Sequence, residues 1–437
     1  MTAIILGYDN LINSTTGEGW NYNGRMEPST IAVTAEYLES KGEYFKIEYQ
    51  VLFQPWNCNY NNVHSSFHHV LESCFSWIDP GENSFVRKNV VEIKKAKYIY
   101  PIEIRNAYNY FTNCSHISIS DKVRQDVLDG FATIVMVYPF EGDLPVFCLQ
   151  KLKILIEKLN LPAERIFLID GNYDDTAFIG QPYKHVPVNV FPSWLKEFTR
   201  DDIITYIPDK LYNCYNRRIS VHRILIITLL NRKNLFQKGI NSFGRQNLEG
   251  VIKQTIDKTG FKFTDEDISF VNSIRGLSPD NKNLNIGSLN ADNPAIHIVN
   301  DHYQRTFVSL VNETLSETIF FSEKIYKPIC VGHPFLLMGG RNQLKKLKDL
   351  GFQTFEKWWS EKYDNLTTQL ERANAIVEIL SYLDQKSNNE LITIREEMKE
   401  TLTHNQKVFN DINKSYTWAG MTPVLGIMKN ILENKIS

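Results

Sequence analysis

Cysteine is scarce and unpatterned: six residues in 437, at 58, 74, 114, 148, 214 and 330, with no CxxC pair and no Cys/His zinc spacing. Several lie in apolar runs, so they read as buried thiols of a reducing compartment. Long hydrophobic runs are missing too, and none reaches the roughly 18 residues that cross a bilayer, which argues against an integral membrane helix. The opening MTAIILGYDN enters a strand-like run without the basic region, apolar stretch and cleavage site of a secretory leader, so the expectation is a cytoplasmic protein. Neither charge is in excess: 48 basic and 50 acidic side chains leave a formal net charge of -2. No global field therefore draws the chain onto nucleic acid.

Several catalytic signatures are also lacking. The loop Asp9 to Arg25 is rich in glycine (Gly17, Gly19, Gly24), yet it has neither the Walker lysine nor GxGxxG spacing. It reads equally as a ligand-side loop or an ordinary long turn. His64, His68 and His69 fall at i, i+4 and i+5, but no carboxylate completes HExxH, so a structural or surface role is favoured over a metal site. Asp174-Asp175 and Asp201-Asp202 are bare pairs, with nothing of a metal-binding DxD around them. Aromatic residues, at 12%, suit a plain core.

The positive signal is alternation of strand and helix. Strands are expected at 2–8, 45–53, 131–139, 165–169 and 186–191, with helices at 29–41, 121–129 and 146–159. Residues 54–113 resist parsing. A polar connector at 198–209 leads to a second series: strand 210–215, helix 221–230, helix 246–258, and a loop-rich segment 262–300. Further helices are expected at 343–350, 366–383 and 389–411, with a last one from Pro423 that presents Leu425, Met428 and Ile431 on one face. Repeated strand-helix-strand units mean right-handed crossovers and parallel sheets, and 437 residues exceed what one core serves. The class is α/β with two domains.

The densest chemistry lies in FVSLVNETLSETIFFSEKIYKPICVGHPFLLMGG, Phe307 to Gly340. Two strand-like runs (307–311 and 334–338) flank a helix whose first turns carry Glu323, Lys324 and Lys327, with Pro328 inside and Gly332 and Pro334 at its end. In parallel α/β sheets, ligands collect at carboxyl ends of strands, and helix N-termini favour anions. A second basic group, Asn216, Arg217 and Arg218, sits at the strand-to-helix turn, with His222 and Arg223 in the next helical turn. Cations there oppose the helix dipole unless an anion is bound, so a phosphate site and a solvated basic turn stand as equal readings.

These motifs, SLVNET, FFSEKIYKPICVG and HPFLLMG, resemble the corresponding segment of fucosyltransferase-like and exostosin-like GT-B glycosyltransferases. Together with the NRR turn (216–218) and GFQTFEKWW (351–359), they look even more like uncharacterised glycosyltransferases of bacteriophage and surface-polysaccharide gene clusters. The resemblance covers mainly residues 205–365. It implies a GT-B fold: Rossmann-like domains at 1–205 on the acceptor side and 206–410 on the donor side, a cleft between them, and a helix at 411–437 packing back on the first domain.

It also implies a nucleotide-sugar donor as co-substrate and no cofactor. Glu323 would hold ribose hydroxyls and Lys324 the diphosphate, with Arg217, Arg218 and Arg223 clamping the phosphates, and Asn312, Glu313 and Lys327 completing the donor side. Cationic side chains in that role leave no metal required. The acids at 313, 317 and 323 do not reproduce the paired-glutamate spacing common in retaining GT-B enzymes, which leans towards inversion. Inversion needs a general base from the first domain. Glu141 is the first candidate, with Glu18, Asp143 and Asp170 as alternatives. The acceptor is a glycan hydroxyl or, alternatively, a hydroxymethylated cytosine in bacteriophage DNA, for which KKAK (94–97) and RNQLKKLK (341–348) supply basic segments. A third reading is a non-catalytic nucleotide-sugar-binding module.

Overall fold

The computed structural model describes residues 3–10, 21–22, 25–26, 32–33, 46–53, 86–87, 97–103, 121–138, 146–189, 191–195, 198–207, 209–278, 298–415 and 422–435. The chain divides into two compact units, Met1–Val190 with Tyr416–Ser437, and Phe191–Ser415. Each is built on its own all-parallel sheet.

The first sheet has six strands: β1 (Ala3–Asn10), β2 (Lys46–Phe53), β3 (Tyr98–Glu103), β4 (Ala132–Tyr138), β5 (Ile166–Asp170) and β6 (Lys184–Pro187). Their spatial order is 2-1-3-4-5-6, a doubly wound topology. A parallel sheet is covered on both faces, so its inner strands are apolar throughout and do not alternate. β5, IFLID, is accordingly buried at every position. Helices α1 (Asp121–Leu128) and α2 (Val146–Leu159) precede and follow β4.

The second sheet contains β7 (Lys210–Asn216), β8 (Gly239–Phe243), β9 (Thr306–Asn312) and β10 (Phe335–Met338) in the order 8-7-9-10. Every residue of β9 and β10 is buried. Between β7 and β8 runs α3 (Val221–Arg232), whose first ten residues are all buried. A helix apolar on nearly every side is one enclosed by others. It packs against α4 (Leu248–Thr259), α5 (Asp265–Ser273) and, from far along the chain, α9 (Gln369–Asp384). The unit also holds α6 (Asn300–Arg305), α7 (Glu323–Cys330), α8 (Gln343–Asp349), α10 (Asn388–Glu397) and α11 (Lys399–Ser415). The last helix, α12 (Thr422–Leu432), joins the first unit, against β1 and β3.

Both parallel sheets match the expected α/β class, and most expected elements fall within a few residues of the observed ones. Five do not. Ala32–Val33, placed in a helix by periodicity, is a short strand paired with Val86–Arg87. β3 lies in the unparsed stretch, where Pro101, inside the strand, argues against a strand by removing a ladder donor. β8 lies between the helices expected at 221–230 and 246–258, where no element is expected. Its backbone pairs with β7 all the same, and Gly239 lies against the ring of Tyr212 where a side chain would clash. α5 occupies part of the supposed loop at 262–300, started by a capping box of Thr264 and Asp267. The single helix expected at 389–411 is two, α10 and α11.

The end of β10 is tied to the segment that precedes α7. Gln343 donates from Nε2 to the Phe320 carbonyl (2.6 Å), while its Oε1 accepts from the Gly340 amide (2.5 Å). A Cβ on Gly340 would collide with the Thr318 carbonyl. Gly340→Ala is therefore expected to cost about 1–3 kcal/mol, read as an earlier unfolding transition in urea for the full chain.

Candidate functional site

In the second sheet the crossovers leave β7 and β9 in opposite directions, so the gap between their carboxyl ends is a topological switch point. Each strand finishes in an asparagine. Asn312 donates from Nδ2 to Asn216 Oδ1 (2.9 Å), and both amides also approach the sulfur of Cys214 (3.3 and 3.2 Å). The pair locks the two strand ends side by side. It brings the turn at Arg217–Arg218 and the segment starting at Glu313 to one edge of the sheet.

Glu313 is fully buried and turns back onto the start of α7. Its carboxylate accepts from the amides of Thr314 and Ser322 (3.2 Å each) and from the Ser322 hydroxyl in a short contact. Burial raises its pKa, with Lys324 and the Ser322 bonds opposing the rise. Ser322 is the N-cap of α7, its Oγ accepting from the Lys324 amide (3.3 Å). The helix closes in a Schellman arrangement: the His333 amide donates to the Pro328 carbonyl (2.8 Å) and Gly332, at φ +63°, to that of Ile329 (3.1 Å).

The segment Glu313–Ser322 is pinned from behind by α3 and α9. His222 Nε2 donates to the Glu313 carbonyl (2.9 Å) while Nδ1 accepts from Ser316 Oγ (2.9 Å), which assigns the neutral tautomer. Burial, with the charge of Arg223 adding to it, pushes the His222 pKa down to about 3. Arg223 donates to the carbonyls of Arg218 (3.0 Å), Asn312 (3.1 Å) and Glu313 (2.8 Å). Arg372 of α9 reaches the Ser316 carbonyl (2.9 Å).

Glu323 and Lys324 form a half-enclosed ion pair at the mouth of this arrangement, Nζ to Oε1 2.8 Å. Burial alone would raise the Glu323 carboxyl, but Lys324 and Lys327 outweigh it and hold the group ionised below the usual range. Lys324 Nζ also meets Thr314 Oγ1 (3.0 Å) and Ser322 Oγ (3.3 Å). Lys327 is desolvated, and its pKa falls to about 8 despite the opposing pull of Glu323. Arg217 is half-buried and Arg218 exposed.

Of the residues singled out in the sequence, Arg217, Arg218, Arg223, Asn312, Glu313, Glu323, Lys324 and Lys327 thus come together at one switch point. Their jobs differ. Arg223 braces backbone carbonyls from inside the fold, which leaves Arg217 and Arg218 as the outward cations of the NRR turn. Asn312 holds a strand end, and Glu313 is a buried counter-ion. Glu317 lies apart on the surface, paired with Lys258 (2.7 Å). Glu141, Glu18 and Asp143 lie outside the described residues, as do His64, His68, His69 and most of the glycine-rich loop. Asp170, in the first unit, is buried at the end of β5 and bonded to His185 Nε2 (2.7 Å) and the Asn172 amide (2.9 Å). Sequence reasoning passed over Thr314, Ser316 and Ser322. Ser322 carried a usable signal, a serine immediately before a charged helix start.

No family model matches the chain, and no curated protein matches it. Among solved structures it is similar to a glycosyltransferase from Rickettsia africae at 12% identity, with a TM-score of 0.41 over 99% of this chain and all of that one. A trehalose 6-phosphate synthase from Burkholderia multivorans aligns at 9% identity and TM-score 0.36, over 99% of each chain. A DNA-modifying β-glucosyltransferase aligns at 9% identity and TM-score 0.31, over 77% of this chain and 99% of that one. At such distances the chemistry has to be argued from the site.

His222 supplies a test of the braced segment. Its folded pKa lies below the ordinary 6.5, so between about pH 6.5 and pH 3 the unfolded chain binds a proton that the folded one refuses, and stability falls as pH drops through that window. His222→Ala should cost about 1–3 kcal/mol at neutral pH, leaving the Glu313 carbonyl and Ser316 hydroxyl without that partner. It should also flatten the acid-side loss in a series of urea melts.

Proposed function

We propose that the second unit binds a nucleotide sugar at the β7/β9 switch point and that the chain is a glycosyltransferase of the GT-B type. The observation that carries this reading is the ionised Glu323, held between Lys324 and Lys327 beside the cationic turn Arg217–Arg218. A carboxylate with an acceptor oxygen to spare suits a ribose diol, and clustered cations suit a diphosphate. The same cations would stabilise the charge that grows on the leaving diphosphate as the glycosidic bond breaks, which supports transfer without a divalent metal. Inversion is the stereochemistry in keeping with the acids present, since Glu317 is paired with Lys258 on the surface and Glu313 is consumed as a counter-ion.

The acceptor in this reading is a hydroxyl of a glycan. The basic segment 341–348 offered for a DNA acceptor is largely spoken for: Lys348 is paired with Glu356 (2.6 Å) and Glu361 (3.3 Å), and Arg341 Nε donates to the Asn365 carbonyl (3.0 Å). Of KKAK, only Lys97 is among the described residues.

Thermal shift with UDP-, GDP-, ADP-, CDP- and dTDP-sugars tests the donor, because a ligand bound only by the native state adds about 2.7 kcal/mol at a hundred times its Kd. One nucleotide class should raise the Tm. Glu323→Gln should then weaken that nucleotide sugar by about tenfold to a hundredfold through loss of a charge-assisted bond, while inorganic pyrophosphate, which has no ribose, binds the variant as well as it binds the parent. Equal loss for both ligands would refute the ribose assignment. Binding with no turnover on any acceptor hydroxyl, water included, would favour a binding module over an enzyme.

A further inference from the structure

One motif of the sequence stands outside the donor site: GFQTFEKWW, residues 351–359. The turn that carries it is closed by Glu361, whose carboxylate accepts from the Phe355 amide (2.7 Å) and the Thr354 hydroxyl (2.6 Å). Trp358 and Trp359 then border, together with α9, a hollow of about 500 Å³. That volume falls within the roughly 300–1,000 Å³ of small-molecule sites. α9 contributes Ala375, Glu378, Ile379 and Tyr382, at i, i+3, i+4 and i+7 and hence on one helix face. Its remaining apolar positions, Ile376, Val377, Leu380 and Leu383, are buried, and the helix packs on α3. All of these residues belong to the second unit.

The aromatic walls are fixed by charged side chains. Trp358 Nε1 donates to Glu397 Oε2 of α10 (3.0 Å), and Lys357 Nζ stands 5.2 Å over its ring. Tyr382 is 47% exposed, with Lys386 Nζ 5.0 Å over its ring, and that ammonium is in turn paired with Glu390 (3.2 Å). Trp359 is 5% exposed, and its Nε1 is a buried donor with no acceptor among the described residues. Ser360, Lys362 and Glu378 add a hydroxyl, an ammonium and a carboxylate to the border. Holding an exposed ring still does little for folding, but it preorganises the ring for a ligand.

We infer that this hollow is an auxiliary glycan-binding site, which takes a run of sugar units of an oligosaccharide. A pyranose presents a face of C–H groups that stacks on aromatic rings, and an edge of hydroxyls that both donate and accept. A purely apolar partner would desolvate the Glu378–Lys233 ion pair (2.6 Å) and leave the Ser360 hydroxyl uncompensated. A nucleic-acid strand would place its phosphates beside the Glu378 carboxylate. A sugar meets the rings and the polar border together.

The site is separate from the β7/β9 switch point. α9 runs beside α3 away from it: Arg372 reaches the Ser316 carbonyl (2.9 Å), whereas Glu378 and Asp384 pair with Lys233 (2.6 Å) and Lys238 (3.2 Å), beyond the last residue of α3. At about 1.5 Å per residue, the lining positions of α9 stand about 5–15 Å along the axis from Arg372. A glycan held there keeps its other units near the enzyme at raised effective concentration. Binding at the hollow does not depend on the donor site proposed above; only its use in retaining an acceptor does.

The experiment is calorimetric titration of the full chain, without nucleotide, with glucose, maltohexaose, cellohexaose and chitohexaose. One hexasaccharide should bind at least about tenfold more tightly than glucose, since several linked units engage one surface, and should shift the tryptophan emission. Tyr382→Ala should weaken that hexasaccharide about tenfold through loss of a stacking ring, with the Tm and any nucleotide-sugar thermal shift as in the parent. Tyr382→Phe should keep most of the affinity, and Trp358→Ala should lower it. Absence of binding by all three hexasaccharides overturns the inference, as does a hexasaccharide indifferent to both Tyr382→Ala and Trp358→Ala, which would place it elsewhere. A dimer in sedimentation velocity that Tyr382→Ala dissolves would assign the hollow to a second copy of the chain and equally overturn it. None of these outcomes bears on the donor site, which stands or falls with the nucleotide sugars.

Discussion

A single buried carboxylate, that of Glu313, holds the candidate site in shape. An ionised or partly ionised group in the interior is tolerated only where hydrogen bonds and opposite charge compensate it. Here the compensation comes from the amide and hydroxyl of Ser322, the amide of Thr314, and the nearby charges of Lys324 and Arg223. The chain must therefore double back between residues 313 and 322. That reversal puts the N-cap of α7 against the end of β9, and with it Glu323 and the lysines. A neutral residue at 313 would leave Lys324 and Arg223 with less to offset their charge.

Arginine serves as scaffold three times over in this unit. Arg223, Arg372 and Arg395 are each nearly fully buried, and each donates to backbone carbonyls of loops or strand edges. Arg395, on α10, reaches the Gly332 carbonyl that follows α7 (3.0 Å), so both ends of the α7 region are gripped by guanidinia from distant helices. Burial lowers the pKa of Arg223 to about 10 and of Arg395 to about 9, which leaves both charged at neutral pH. The planar fork can satisfy two or three carbonyls from one rigid group, which an ammonium on a flexible stem does less well. A motif-level reading sees only a basic residue near a turn. It cannot say whether the fork faces solvent, a ligand or the protein's own backbone.

That distinction marks where sequence reading succeeded and where it stopped. α7 was legible because several local signals agree: apolar positions at helical spacing, a charged first turn, and Gly332 with Pro334 after it. β9 and β10 were legible as continuous apolar runs, the mark of strands buried on both faces. The placement of Glu323, Lys324 and Lys327 on the first two turns followed from the same pattern. The opposed roles of Arg217 and Arg223, by contrast, depend on contacts with residues about 90 positions away, at 312 and 313. His222 was visible as a residue of the first turn, but its service to Glu313 and Ser316 was not. In the first unit, β3 was hidden by its own proline, and α5, in the second, by surrounding polar residues, although its capping box is a local signal.

The enclosure of α3 has a consequence for how the chain is made. Ten apolar or sequestered positions in succession leave this helix no face that belongs in water. Part of its cover, α9, lies about 140 residues downstream, which at roughly 5–20 residues per second means on the order of 7–30 seconds of further translation. During that interval α3 has left the ribosome with only its sequence-local neighbours, α4 and α5, to shelter it. The second unit is thus assembled around a pillar that is synthesised early and roofed late, and its biogenesis falls to whatever holds such a surface in the meantime.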